Sequence, residues 1–322
     1  MALSNTEWIW PSETARGVFA SYARGTNSHA ILITGQYGTG KRTLAGMMAN
    51  ALLCERSPDD RPCGKCGPCV RFATGTHYDA HYIRRGDNKS RTIAVEQIRA
   101  LTEALGMRSY EGGATVVIIE DADEMQVQAQ NALLKCLEEP QGNTCFFLTA
   151  IHRMEILPTI RSRCAWLNLP TLSIDIVERE LIRRGTDGRL ARDAAQYSNG
   201  SMGAAIRYAE TSGGFLQAIK ETLGGMRCAL DVPSAAKRAL DLFGKKENTE
   251  SGFDAYDTLE YAMTRGNETF ARLPARARLA VFDSIQEARQ RDSMYMPKQQ
   301  ALEDLFIRYL NEINKNSSIA KP

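Results

Sequence analysis

Ile31-Leu32-Ile33-Thr34-Gly35-Gln36-Tyr37-Gly38-Thr39-Gly40-Lys41-Arg42 is a short apolar run that turns through three glycines onto a lysine. Gly35, Gly40 and Lys41 satisfy G-x-x-x-x-G-K, the spacing of a phosphate-binding loop. Such a loop turns successive backbone N–H groups toward phosphate oxygens, and the helix that follows aims its positive end at them. Gly38 and Gly40 allow close approach of the backbone, Thr39 lies between them, and Lys41 supplies a point charge. A hydroxyl that ligates Mg²⁺ is expected directly after the lysine. Arg42 stands there instead, and a guanidinium cannot ligate a metal. Thr43 is one helical step further, about 100° round. Nucleotide with Mg²⁺ is therefore expected to meet a degenerate site.

A second set of groups stands at the end of Thr115-Val116-Val117-Ile118-Ile119, where Glu120 and Asp121 follow. In nucleotide-hydrolysing sites of this kind the first acid holds Mg²⁺ and the second polarises the attacking water. The usual order is Asp then Glu; here it is reversed, and Asp121 is a methylene shorter than the usual base. A misplacement of about 1 Å can cost ~10²-fold in rate. The two acids could also simply cap the next helix.

A third set is Cys54-x₈-Cys63-x₂-Cys66-x₂-Cys69, in a loop rich in proline and glycine. Knuckle turns of this type converge thiolates for tetrahedral Zn²⁺. Four cysteines in a short polar loop make poor core material, so Zn²⁺ is expected in a structural role; reduced surface thiols are the alternative. The neighbouring His77, Tyr78, Asp79 and His81 read as a loop leading into a strand at Ala80–Ile83 rather than as a further site.

These groups need a scaffold. Ala30–Thr34, Thr115–Ile119 and Cys145–Thr149 are apolar and β-branched or aromatic, as strands of a parallel sheet covered on both faces are. Helical spacing marks Ser12–Ala23 with Ser12 as N-cap, the stretch after Lys41 to about Leu53, Ile93–Leu105, and Gln128–Glu139 before Pro140. Gly112-Gly113 turns the chain into the Thr115 strand. Trp8 and Trp10 read as a hydrophobic anchor for the first helix or as a wall beside a nucleotide base. After Leu169-Pro170 the pattern is helix upon helix, at 175–184, 190–198, 204–209, 216–223, 234–243, 254–263, 279–288 and 302–310, with a polar loop at Gly244–Ser251 and a frayed tail from Lys315.

The chain has 322 residues, enough for two or three domains with proper cores. A net charge of +2 argues neither for nor against nucleic acid. The first dozen residues lack a secretory pattern, and no apolar run approaches the ~20 residues of a membrane span. The expected compartment is the cytoplasm, where eight cysteines read as ligands or small hydrophobes, not disulfides.

Asn131-Ala132-Leu133-Leu134-Lys135 through Glu138-Glu139-Pro140, with Ser162-Arg163-Cys164 downstream, resembles the AAA+ subunits of the bacterial clamp loader, part of the DNA polymerase III holoenzyme. The cysteine insertion after the first helix of the phosphate loop resembles them too. The resemblance is strong over 28–169. Three departures place it nearer the delta-prime type than gamma/tau: Arg42 after the lysine, the inverted acid pair, and Gly203 where gamma/tau lids carry a phosphate-sensing arginine. The resemblance implies an AAA+ P-loop parallel sheet with helices on both faces and an inserted zinc module at about 54–69, spanning 1–170. It further implies a small helical lid at 171–212 and an all-α collar domain for oligomerisation at 213–322. It implies gamma/tau- and delta-type ring partners, a sliding clamp and primed DNA reached through the complex, and weak or no ATPase in isolation. It makes Arg163 a finger given in trans to a neighbouring ATP site, worth ~10³–10⁵ in rate, with Arg161 assisting it or pairing with an acid.

Two other functions stay open on the residues alone. One is an autonomous gamma-type ATPase using Lys41, Glu120 and Asp121. The other is a zinc-knuckle nucleic-acid binder with a relic phosphate loop; it predicts salt-dependent DNA binding by the isolated chain.

Overall fold

The computed structural model describes residues 8–85, 92–106, 109–110, 113–210, 214–244, 255–264, 267, 270, 272–293 and 297–317. The expected polar loop beyond Gly244, the tail from Ser318, and Gly112 of the expected glycine turn lie outside the described residues. Contacts divide the chain into two compact units: Met1–Ser173 with Gly200–Gly203, and Ile174–Asn199 with Ala204–Pro322. The boundary falls at Ser173, a few residues past the Leu169-Pro170 expected from sequence. Leu169 is buried, and its N–H donates to the Thr34 carbonyl at 2.7 Å.

The first unit is built on five parallel strands: β1 (Ala30–Thr34), β2 (Ala80–Ile83), β3 (Thr115–Ile119), β4 (Thr144–Ala150) and β5 (Ala165–Asn168). Their order across the sheet is β2-β3-β4-β1-β5. Alternate residues divide between two apolar layers, as a pleated strand requires. Ala30 and Leu32, Val117 and Ile119, and Phe146, Leu148 and Ala150 face one cluster. On that side α4 (Val95–Leu105) contributes Ile98, Leu101 and Leu105, and α5 (Val127–Glu138) contributes Ala129, Leu133 and Leu137. Ile31 and Ile33, Val116 and Ile118, and Cys145 and Phe147 face the other. There α1 (Glu13–Arg24) supplies Phe19 and Tyr22, and α2 (Lys41–Leu53) supplies Leu44, Met47 and Met48. This is a parallel sheet with helices on both faces, as the resemblance implies.

Strand β5 has no apolar signature of its own. Only Leu167 of its four residues is buried, and it forms by pairing in parallel with β1, Ile31 opposite Ala165. Two short helices also go beyond the sequence reading. α3 (Gly67–Thr74) starts inside the cysteine loop, and α6 (Pro158–Arg161) precedes Arg163. The helix α1 begins at Ser12, whose Oγ accepts the Ala15 N–H at 3.1 Å.

The second unit is helical throughout its described residues, and its core joins Leu216, Ile219, Leu259, Val281, Ile285, Leu302 and Phe306. Residues of the anticipated lid, 171–212, are shared between the two units. No helix of the described residues is long and apolar enough to cross a membrane.

Candidate functional site

Strand β1 carries the chain into the phosphate loop at the C-terminal edge of the sheet, and β3 delivers the acids at the same edge. The strand between them is β4. The tips of β1 and β3 are thus two strand spacings apart, about 9–10 Å. A crevice outside the carboxyl ends of such strands is where open α/β sheets place ligands.

The loop has the backbone its glycines predict. Gly35, Gly38 and Gly40 have φ of 155°, 72° and 88°. At Gly35 a Cβ would stand 2.6 Å from the Leu169 carbonyl, and at Gly40 one would enter the Trp8 ring, 2.2 Å from its edge. Trp8 meets Trp10 edge-on at 6.3 Å, and Trp10 packs on Phe19 at 5.2 Å. The tryptophans therefore anchor α1 to the core, and Trp8 also covers the loop glycine. Thr39 is buried and its hydroxyl donates to the Gln36 carbonyl at 2.9 Å.

Lys41 is buried at the first position of α2 and donates to the carbonyls of Gly35 and Gln36, both at 2.8 Å. Burial lowers its ammonium to about 8, against the upward pull of Asp121 and Asp123. Because 8 lies below the ordinary 10.5, the unfolded chain binds more protons between those values, and stability rises with pH across the window. Relative to Lys41→Met, the wild-type chain is expected to gain up to about 3 kcal/mol over that range. Urea unfolding of the two proteins at a series of pH values measures the difference; a flat difference would mean a fully solvated lysine.

Arg42 reaches across the gap. Its Nε lies 3.3 Å from Glu120 Oε2, and its Nη2 donates to Asp121 Oδ2. Asp121 is left-handed, φ 51°, and its N–H donates to Thr149 Oγ1 of β4 at 3.1 Å. Arg85 adds a second cation 3.5 Å from Asp121. Thr43 is half-buried on the next step of α2. A divalent ion at this place needs free carboxylate oxygens and a hydroxyl beside the lysine. Both acids are engaged by a guanidinium and the hydroxyl is absent, so these residues do not fit Mg²⁺.

The segment Ser201–Gly203 closes on the loop within the same unit. Ser201 Oγ donates to the Tyr37 carbonyl at 2.7 Å, and the Gly203 N–H donates to the Gly38 carbonyl at 2.9 Å. A Cβ at 203 would lie 2.8 Å from Gly38 Cα, so the backbone contact leaves no room for a side chain there.

The four cysteines converge: their sulfurs all lie within 4.8 Å of one another, with Cys54 and Cys66 at 3.9 Å. Four sulfurs at ~2.3 Å from one Zn²⁺ stand ~3.8 Å apart in a tetrahedron, so the set fits zinc. Local structure explains the convergence. Cys54 ends α2, Cys66 begins α3, and Cys69 sits in its first turn. Gly64 turns at φ 67°, bringing the N–H groups of Lys65 and Cys66 to Cys63 Sγ at 3.5 and 3.3 Å. Those two N–H groups pull the Cys63 thiol down to about 6. His77, Asp79 and His81 stand apart from this group. Asp79 is buried and accepts from the Tyr110 N–H at 2.8 Å and from Ser109 Oγ at 3.1 Å, a structural role.

Arg163 follows α6, and its guanidinium contacts Glu138 at 2.5 Å and the Thr159 carbonyl at 2.9 Å. Arg161 donates to Met154 Sδ at 3.2 Å. Sequence reasoning missed Glu138, Thr149, Arg85 and Ser201 as neighbours of these groups. Only Thr149 carried a signal, a hydroxyl at the end of an apolar run in a buried strand.

Residues 12–173 match the sequence model of a family described as DNA polymerase III, delta subunit. The chain belongs to that family. Among curated relatives, the DNA polymerase III subunit delta' of Pseudomonas aeruginosa is 41% identical over 141 residues, 44% of this chain and 43% of that protein. The subunit delta' of Escherichia coli is 36% identical over 203 residues, 62% of this chain and 59% of that protein. The Bacillus subtilis subunit tau is 35% identical over 137 residues, 42% of this chain and 24% of that protein. The chain spans about half the length of the delta' relatives it matches. The phosphate loop, the four cysteines and Arg163 all lie within the matched region.

Proposed function

We propose that this chain is a delta-prime-type subunit of a bacterial clamp loader, acting on a neighbour's ATP site rather than on its own. One observation carries the reading. Arg163 stands at a helix end, a third exposed, with its guanidinium on Glu138 and Thr159, while the acids beside the chain's own phosphate loop are occupied by Arg42. A cation offered at an edge and a cradle whose charges are internally matched together describe a donor of charge, not a motor. Lent across a subunit boundary, Arg163 would stabilise charge developing on a transferring phosphoryl group.

Its partners in this reading are gamma/tau- and delta-type AAA+ subunits, with the sliding clamp and primed DNA engaged through the assembled ring. The residues 171–212 serve as lid and 213–322 as the collar through which subunits pack. When bound, Zn²⁺ supplies a covalent-strength cross-link between the end of α2 and the start of α3, with Cys54, Cys63, Cys66 and Cys69 as its ligands. The phosphate loop retains the backbone for a nucleotide without the groups for hydrolysis, and the setting is the cytoplasm.

Reconstitution with gamma/tau- and delta-type subunits tests this. The isolated chain is expected to hydrolyse no ATP above background, and the ring containing it to show DNA-stimulated turnover that a ring lacking it does not. Brisk hydrolysis by the isolated chain, abolished by Lys41→Ala, would sink the reading in favour of an autonomous motor.

A further inference from the structure

The place where a phosphate loop faces acids at the tip of another strand of the same sheet normally demands a loose cation. Two carboxylates converge at a strand end, and their mutual repulsion and partial burial have to be offset. Here Glu120 and Asp121 have side chains only 22% and 14% exposed, so water alone screens them poorly. Arg42 meets both with two different nitrogens, and Arg85 approaches Asp121 and Glu124 from the outer side, at 3.5 and 3.9 Å.

We propose that Arg42 is a resident substitute for the divalent cation: its planar fork bridges Glu120 and Asp121, ties the first turn of α2 to the tip of β3, and makes the site metal-independent. The guanidinium suits this task for physical reasons. It stays charged at every pH the fold survives, it is weakly hydrated, and its donors diverge enough to meet two carboxylates at once. A metal ion at this position comes and goes with nucleotide; a side chain does not. The geometry of the loop relative to the acids is thereby held in one arrangement. Lys41 on the carbonyls of Gly35 and Gln36, and Gly203 on Gly38, fasten the same loop at two further points. A latent divalent site is the corollary: removing the guanidinium leaves two half-buried carboxylates with oxygens to offer a hard cation. Neither Arg163 nor any ring partner enters this inference, so it stands or falls apart from the assembly described above.

Mn²⁺ alone is the probe, with the zinc-loaded 322-residue chain. Bound ion is counted by electron paramagnetic resonance, and thermal melting is followed with and without the metal. The wild-type chain is expected to bind no Mn²⁺ at this position and to melt at the same temperature in its presence. Arg42→Thr is expected to bind about one ion per chain, to melt higher when it is added, and to lose both responses when Asp121→Asn is combined with it. Arg42→Gln, which keeps the bulk of the side chain without its charge, covers the case in which the threonine variant does not fold. A wild-type chain that binds one Mn²⁺ and loses it in Asp121→Asn would overturn the inference. So would folded Arg42→Thr and Arg42→Gln chains that bind none.

Discussion

In a reconstituted ring, Arg163→Ala is expected to slow ATP turnover at the site it faces by ~10³-fold or more. The subunit itself should fold and assemble normally. Arg163 is tied to Glu138 in a pair whose side chains are 35% and 46% exposed, and a pair so wetted contributes ~1 kcal/mol at most. Loss of turnover would thus report the missing charge, not a damaged fold. Arg163→Lys should recover little, because a point ammonium cannot reproduce a planar fork against phosphate oxygens. Glu138→Ala separates position from charge. It leaves the cation in place but removes the carboxylate that aims it, so a loss nearer tenfold is expected. Circular dichroism and size-exclusion profiles of the three variants must match the wild type for the comparison to stand. If Arg163→Ala leaves DNA-stimulated ATPase unchanged, the trans-acting role is gone.

Stripping the zinc site is expected to have the largest effect on stability. Structural zinc contributes apparent binding free energies of ~10–16 kcal/mol in small peptides at neutral pH. In a module anchored at both ends, only part of that reaches global unfolding. Cys54 and Cys69 are nearly or fully buried, at 3% and 0% exposure. They join the C-terminus of α2 to a helix whose Phe72 packs under the sheet and meets Tyr82 at 5.9 Å. Without a metal, four sulfurs within 4.8 Å of one another have little reason to stay together, since burial pushes the Cys54 and Cys69 thiols up toward the neutral form. Chelation, or Cys69→Ser, should lower the melting temperature by about 10 °C or more, which corresponds to roughly 3–5 kcal/mol for a unit of this size. Cys63→Ser, at a half-buried corner of the cluster, should do less. One zinc per chain by atomic absorption, lost in Cys69→Ser, is the companion measurement; a metal-free chain with unchanged melting would refute the centre.

The phosphate loop, the cysteine cluster and four of the five strands were legible because each is a local pattern. A run such as Ile31-Leu32-Ile33 before Gly35, or Cys63 and Cys66 around a turning Gly64, restricts the chain to one local conformation. Strand β5 was not legible, since Ala165-Trp166-Leu167-Asn168 buries one residue and owes its conformation to the edge of β1. The shared use of Gly200–Gly203 by the first unit was equally hidden, because it depends on the Gly203 N–H on the Gly38 carbonyl and the Ser201 hydroxyl on the Tyr37 carbonyl, pairings between residues far apart in sequence.

By itself the sequence determined which chemistries were available: a lysine in a glycine cradle, two acids after a buried strand, four thiols spaced to converge and an arginine in a Ser-Arg-Cys motif. It also showed the defect at Arg42 as an absence, a missing hydroxyl. Tertiary structure decided what stands in its place. Arg42 and Asp121 are 79 residues apart, and they meet only because the strand order β3-β4-β1 sets their two strand ends across a single intervening strand. Glu138 reaches Arg163, and Trp8 reaches Gly40, through the packing of helices and loops rather than through any local pattern. Helical and strand periodicities report neighbours one to four residues away; pairings that cross a sheet are set by which strands lie side by side, and that is a property of the folded layers alone.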